Sequence, residues 1–62
     1  MEGRHVSIRL LMLLQDENLS LDDIMSRLNI TKRSANKAIH MLKIRKLIQF
    51  NETDNLYELV KN

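Results

Sequence analysis

Cysteine and proline are both absent from this 62-residue chain, tryptophan is missing as well, and the only glycine is Gly3. Each absence removes a class of explanation. Without cysteine no disulfide can hold a small fold together. With His5 and His40 as the only imidazoles, a tetrahedral zinc site also has no thiolate to complete it. A single glycine excludes a glycine-rich phosphate loop. No linker, repeat or low-complexity stretch divides the chain, so a single domain over residues 1–62 is expected. Long apolar runs are also lacking. The longest, Leu10-Leu11-Met12-Leu13-Leu14, falls far short of the roughly 20 residues that cross a bilayer. It belongs to a helical pattern rather than to a signal-peptide core, which leads to the expectation of a soluble intracellular protein with no membrane partner. Its expected compartment is the cytoplasm or nucleoid, or the nucleus for a eukaryotic or viral protein.

A chain this short buries only about 60% of the surface its unfolded form exposes. With neither disulfide nor metal, its stability must come from efficient packing or from association with a second copy.

Acid is the deficit that bears most on function. From Ile24 through Asn51 there is no Asp or Glu, while Arg27, Lys32, Arg33, Lys37, Lys43, Arg45 and Lys46 supply positive charge. Glu2, Asp16, Glu17, Asp22 and Asp23 lie before that stretch, and Glu52, Asp54 and Glu58 after it. The net charge of +2 says little, but this segregation is the footprint of a surface meant for phosphates. A solvated helical face that merely lacks acids is the plainer alternative.

Nothing in the chain suggests catalysis. An active site needs a nucleophile beside a base, paired carboxylates in a pocket, or a metal, and no such constellation is visible. Asp22 and Asp23 adjoin at a helix start, where capping accounts for them. Neither an enzyme, a cofactor nor a small-molecule substrate is expected.

What is present orders itself into three helices and a hairpin. Val6, Arg9, Leu10, Leu13 and Leu14 recur at helical spacing and predict a first helix over about 5–15. Ile8, Leu11 and Met12 fall away from that stripe, so this helix needs a second burial partner, and a second copy of the chain would supply one. Ser20 reads as the cap of a second helix over about 20–28, with Asp23 reaching back and Leu19 spaced from Ile24 as a hydrophobic staple. Leu21, Ile24, Met25 and Leu28 then point inward, and Asn29-Ile30 makes a turn. Thr31 caps a third helix over about 31–45. Leu47-Ile48-Gln49-Phe50 and Leu56-Tyr57-Glu58-Leu59-Val60 read as strands around the polar loop 51–55, a hairpin over about 47–60 in which Phe50 and Tyr57 lie opposite one another. The methionines after Met1 read as core filler. The expected fold class is mainly α with a β-hairpin (α+β), a three-helix winged helix-turn-helix.

At 100° per residue the third helix puts Ala35, Ala38, Ile39 and Leu42 on an inward stripe. Arg33, Asn36, Lys37, His40 and Ile44 fall on the opposite one, with Lys32 and Lys43 at its edge. This outer face carries groove chemistry. Arg33 and Lys37 can reach phosphates or guanine edges, Asn36 can bond adenine bidentately, and His40 can donate to either. Thr31 and Ser34 bring the amides and hydroxyls of the helix start to a phosphate. Each of these residues also has an ordinary reading: lysines on a solvated helix, His40 as a surface histidine, Tyr57 as hairpin packing.

The segments Ser20-Leu21-Asp22-Asp23-Ile24 and Leu28-Asn29-Ile30-Thr31, followed by a helix ending in Leu42 and the strand-like Leu47-Ile48, resemble the winged-helix DNA-binding domains of small bacterial, archaeal and phage regulators. The likeness covers nearly the whole chain. Those domains usually carry glycine just before the first wing strand; Lys46 stands there in this chain, at a cost of roughly 1 kcal/mol if the backbone is left-handed. The run from Leu28 to Ala38 also resembles the recognition segment of Z-alpha domains. In that family a lysine, an asparagine and a following basic residue grip left-handed nucleic acid, which implies Lys32, Asn36 and Lys37 here. The chain departs from the family at His40, where it has tyrosine, and at Tyr57, which takes the place of a wing tryptophan. Asp54 and Asn55 replace the wing prolines.

Three functional expectations follow. The first is a sequence-specific transcriptional regulator of phage or prokaryotic type, a homodimer bound to double-stranded B-form DNA with the third helix in the major groove. Its site comprises Thr31, Lys32, Arg33, Ser34, Asn36, Lys37, His40 and Lys43, with Tyr57 as a wing contact and Ile8, Leu11 and Met12 as the dimer face. The second is a Z-alpha-like binder of Z-DNA or Z-RNA. The third is a winged-helix protein-interaction module, against which the basic helix argues.

Overall fold

The computed structural model describes residues 2–61, with side chains from His5 onward. Met1, Asn62 and the side chains of Glu2 and Arg4 lie outside the described residues. Helices α1 (Glu2–Asp16), α2 (Leu21–Leu28) and α3 (Lys32–Ile44) precede strands β1 (Ile48–Asn51) and β2 (Leu56–Leu59). The strands form an antiparallel hairpin. This is the expected α+β class in the winged-helix order.

Val6, Leu10 and Leu14 seat α1 in the core, and Leu13 packs at its margin. The helix begins three residues before its expected start, because the apolar period first becomes legible at Val6. Arg9 shares the spacing of the stripe but is exposed, while Leu11, expected on the outer side, is half-buried against the core. Both lie about 100° from the centre of the buried stripe, where burial is decided by neighbouring elements rather than by period. Ile8 and Met12 are 52% and 62% exposed, as the outer face requires. Met12 and Met41, at 62% and 37% exposure, are therefore not core filler; of the methionines after Met1, Met25 alone packs on the core.

Helix α2 starts with a reciprocal capping box. The Asp23 amide donates to Ser20 Oγ at 3.2 Å, and the Ser20 amide donates to the Asp23 carboxylate at 3.4 Å. Flanking this box, Leu19 and Ile24 are both buried, as a staple requires. Both α2 and α3 end in the same two-bond closure. The Asn29 amide donates to the Ser26 carbonyl and the Ile30 amide to that of Met25; at the end of α3, Lys46 donates to Lys43 and Leu47 to Leu42. Each closure requires a residue in the left-handed region, and Asn29 (φ 55°) and Lys46 (φ 62°) occupy it. Asparagine tolerates that conformation, whereas lysine is strained by it.

In the hairpin Phe50 stands opposite Tyr57, with ring centroids 4.9 Å apart and tilted by 59°. Tyr57 exchanges both backbone hydrogen bonds with Leu19 (3.1 and 2.7 Å), so the α1–α2 connection adds a short third edge to the sheet. Consequently Phe50 and Tyr57 meet as a non-hydrogen-bonded pair, whose side chains approach most closely. Asn51 Oδ1 accepts the amides of Thr53 and Asp54, and Asn55 (φ 59°) closes the loop by donating to the Asn51 carbonyl. Leu10, Ile24 and Ala35 are wholly inaccessible at the centre, where α1, α2 and α3 meet, and Ile48 ties β1 to them. No polar side chain among the described residues is buried. No helix among them is long and apolar enough to cross a membrane.

Candidate nucleic-acid interface

Four inward residues orient α3. Ala35, Ala38, Ile39 and Leu42 are all buried, as the helical period predicts. The two alanines have no bulk beyond Cβ, which lets α3 lie close against its neighbours. With that stripe fixed, Lys32, Arg33, Asn36, Lys37, His40 and Lys43 have no alternative to the solvent side, and all six are exposed. No side chain among them makes a hydrogen bond or ion pair with another described residue, so their side-chain donors are uncommitted. Ile44 lies among them at 65% exposure, the apolar end of an otherwise polar face.

The entry to α3 differs in part from expectation. Thr31 is the cap, and its Oγ1 accepts the Ser34 amide at 3.2 Å while its hydroxyl donates to Ser34 Oγ at 3.3 Å. The Ser34 amide and the Thr31 hydroxyl are thus committed within the cap, leaving the amides of Lys32 and Arg33 as the open donors of the first turn. Electrostatically the two helix starts are opposites. At α2 the positive end of the helix is offset by Asp22 and Asp23, whereas α3 has no acid in its first turn and carries Lys32 and Arg33 there.

Sequence segregation of charge does not carry over completely into space. Arg27, one of the cations of the acid-free stretch, pairs with Glu17, so its charge is offset and does not join the face of α3. Both partners are about half exposed, and such a pair contributes no more than about 1 kcal/mol. Within that stretch the uncompensated cations are therefore those of α3 and its C-terminal cap, Lys32, Arg33, Lys37, Lys43, Arg45 and Lys46; Arg9 on α1 and Lys61 after β2 are likewise without an ion-pair partner among the described residues.

Tyr57, expected as a wing contact, is half-buried and packs against the core beside Phe50. Two features of the hairpin escaped sequence reasoning. One is the Leu19–Tyr57 bridge. The other is Glu58, whose carboxylate accepts from Gln49 Nε2 (2.6 Å), Asn51 Nδ2 (3.4 Å) and Asn18 Nδ2 (3.5 Å), joining both strands to the α1–α2 connection. Both link positions about 40 residues apart, and no local pattern signals them. Comparison with known proteins returns no match among family models, curated proteins or solved structures.

Proposed function

We propose that this chain is a nucleic-acid-binding winged-helix protein that reads duplex DNA with the outer face of α3, as a sequence-specific regulator does. The observation that carries the reading is the start of α3. Placing Lys32 and Arg33 at the positive end of a helix dipole, with no acid nearby, is locally unfavourable by a few tenths of a kcal/mol per charge. A bound phosphate removes that penalty. Such a violation of a local rule is expected where a surface is shaped by a partner rather than by folding. Exposed donors one turn apart at Arg33, Asn36, Lys37 and His40 then face a groove, with Lys43 toward the flanking backbone.

Charge reversal tests the assignment. Arg33→Glu with Lys37→Glu should abolish binding to a mixed-sequence duplex while leaving the helical circular dichroism intact. Undiminished binding of that duplex would contradict α3 as the binding face, and no binding of it by the native chain in dilute salt would favour a protein-interaction module. A left-handed duplex remains the alternative target, carried by Lys32, Asn36 and Lys37, and an inverted dichroism spectrum of an alternating CG duplex under excess protein would favour it. Pairing of two copies through α1 is part of the proposal. Arg9 and Asp16 flank Met12 on one side of α1, so antiparallel pairing about Met12 sets the guanidinium of each copy near the carboxylate of the other. A strict monomer by light scattering at high concentration removes that clause.

A further inference from the structure

We infer that the hairpin is an acidic barrier: nucleic acid is held by α3 and its first turn alone, and Glu52 and Asp54 turn the phosphate backbone away from the wing. The inference rests on the reading of α3 as the binding helix. From Leu47 through Val60 the chain has no lysine or arginine, yet it carries Glu52, Asp54 and Glu58. Glu52 and Asp54 are exposed at the hairpin tip. The Glu52 carboxylate makes no hydrogen bond or ion pair with any described residue, and Asp54 accepts only from Asn51 Nδ2 at 3.5 Å. No cation among the described residues offsets either charge.

The hairpin tip, residues 51–55, carries no aromatic side chain; Phe50, 39% exposed, stands before it on β1. Phe50 and Tyr57 share the face that carries the buried Ile48, and Tyr57 packs on the core. What the tip offers a polyanion is therefore two carboxylates. Its reach is short: the chain from Lys46 to Glu52 spans at most about 20 Å, so with α3 in a groove the tip stays within about 20 Å of the Lys46 end of that helix. Screening acts over about 30 Å at 0.01 M salt and about 8 Å at 0.15 M, so the repulsion is felt most in dilute salt.

The test titrates the full chain into a labelled mixed-sequence duplex, comparing the native protein with Glu52→Gln, with Glu52→Gln/Asp54→Asn and with Glu52→Lys. Glu52→Gln removes no contact, so it keeps the comparison usable if the double variant disturbs the loop. Neutralisation should tighten binding about three- to tenfold in dilute salt, with the gain vanishing as salt rises. Glu52→Lys should also steepen the dependence of log K on log salt by about 1. A control, Asp22→Asn, makes the same change in net charge as Glu52→Gln at an exposed carboxylate outside both the hairpin and the α1 pairing, and should gain less than Glu52→Gln. Native binding that the hairpin variants leave unchanged, or an equal gain in the control, overturns the barrier alone. Absence of native binding overturns the reading of α3 and the barrier with it.

Discussion

Lys46 holds a left-handed conformation (φ 62°) that an L-residue adopts at a cost of about 1–2 kcal/mol, and it does so to complete the closure of α3 before β1. Lys46→Gly should therefore raise unfolding free energy by about 0.5–1 kcal/mol, less than the full strain because glycine also gains freedom in the unfolded chain. Urea denaturation measures this, and a loss of stability would contradict the strain. This strain was legible in advance, since a glycine is usual at that position and lysine stands there. Arg27 was not legible in the same way: its membership of an acid-free stretch concealed a partner, Glu17, ten residues away across a turn. On α3 two substitutions separate base reading from phosphate contact. Asn36→Ala should reduce discrimination between sequences by about 1–3 kcal/mol, whereas Lys43→Ala should weaken all duplexes alike and lower the salt slope by about 1. Equal effects of both on every sequence in a competition titration would contradict the assignment.

At the scale of elements, chemistry at the helix ends mattered as much as periodicity. Ser20 with Asp23 starts α2, and Asn29 with Thr31 makes the turn into α3, so the helix-turn-helix is specified by four polar residues and the buried stripe behind them. Ser20→Ala should cost about 1 kcal/mol of stability, with loss of helical dichroism at the same denaturant concentration as global unfolding. No measurable cost would mean that the capping box contributes nothing beyond water. These caps, the inward stripe of α3 and the facing of Phe50 and Tyr57 could be read from short windows of sequence, because each depends on residues within a few positions. The start of α1 could not, for its first turn has no apolar residue to show a phase. Nor could the division of labour between Arg9 and Leu11, equally distant from the buried stripe and separated only by what packs beside them. The Leu19–Tyr57 bridge, which makes the wing an extension of the core, depends on tertiary placement alone.

As a whole molecule the chain is small, with a radius of gyration of 10.4 Å, and its core draws on every element. A domain of this size rarely holds more than about 3–5 kcal/mol. Leu10, wholly buried where α1 meets the other elements, should cost about 2–5 kcal/mol when replaced by alanine, so Leu10→Ala should be largely unfolded at room temperature by circular dichroism. A cooperative transition close to that of the native chain would show that the site collapses around the cavity. The same smallness makes charge placement legible in function: most of the uncompensated cations occupy α3 and its cap, while exposed carboxylates stand at the hairpin tip and in the first turn of α2. The most direct test of the central claim, that α3 is a phosphate-contacting surface, is a fluorescence-anisotropy titration of the chain into a labelled mixed-sequence B-form duplex at two salt concentrations. The account predicts binding in dilute salt that weakens steeply as salt rises, with a log–log slope of magnitude about 3–4 for the four cations of α3. No binding in dilute salt, or binding indifferent to salt, would contradict it.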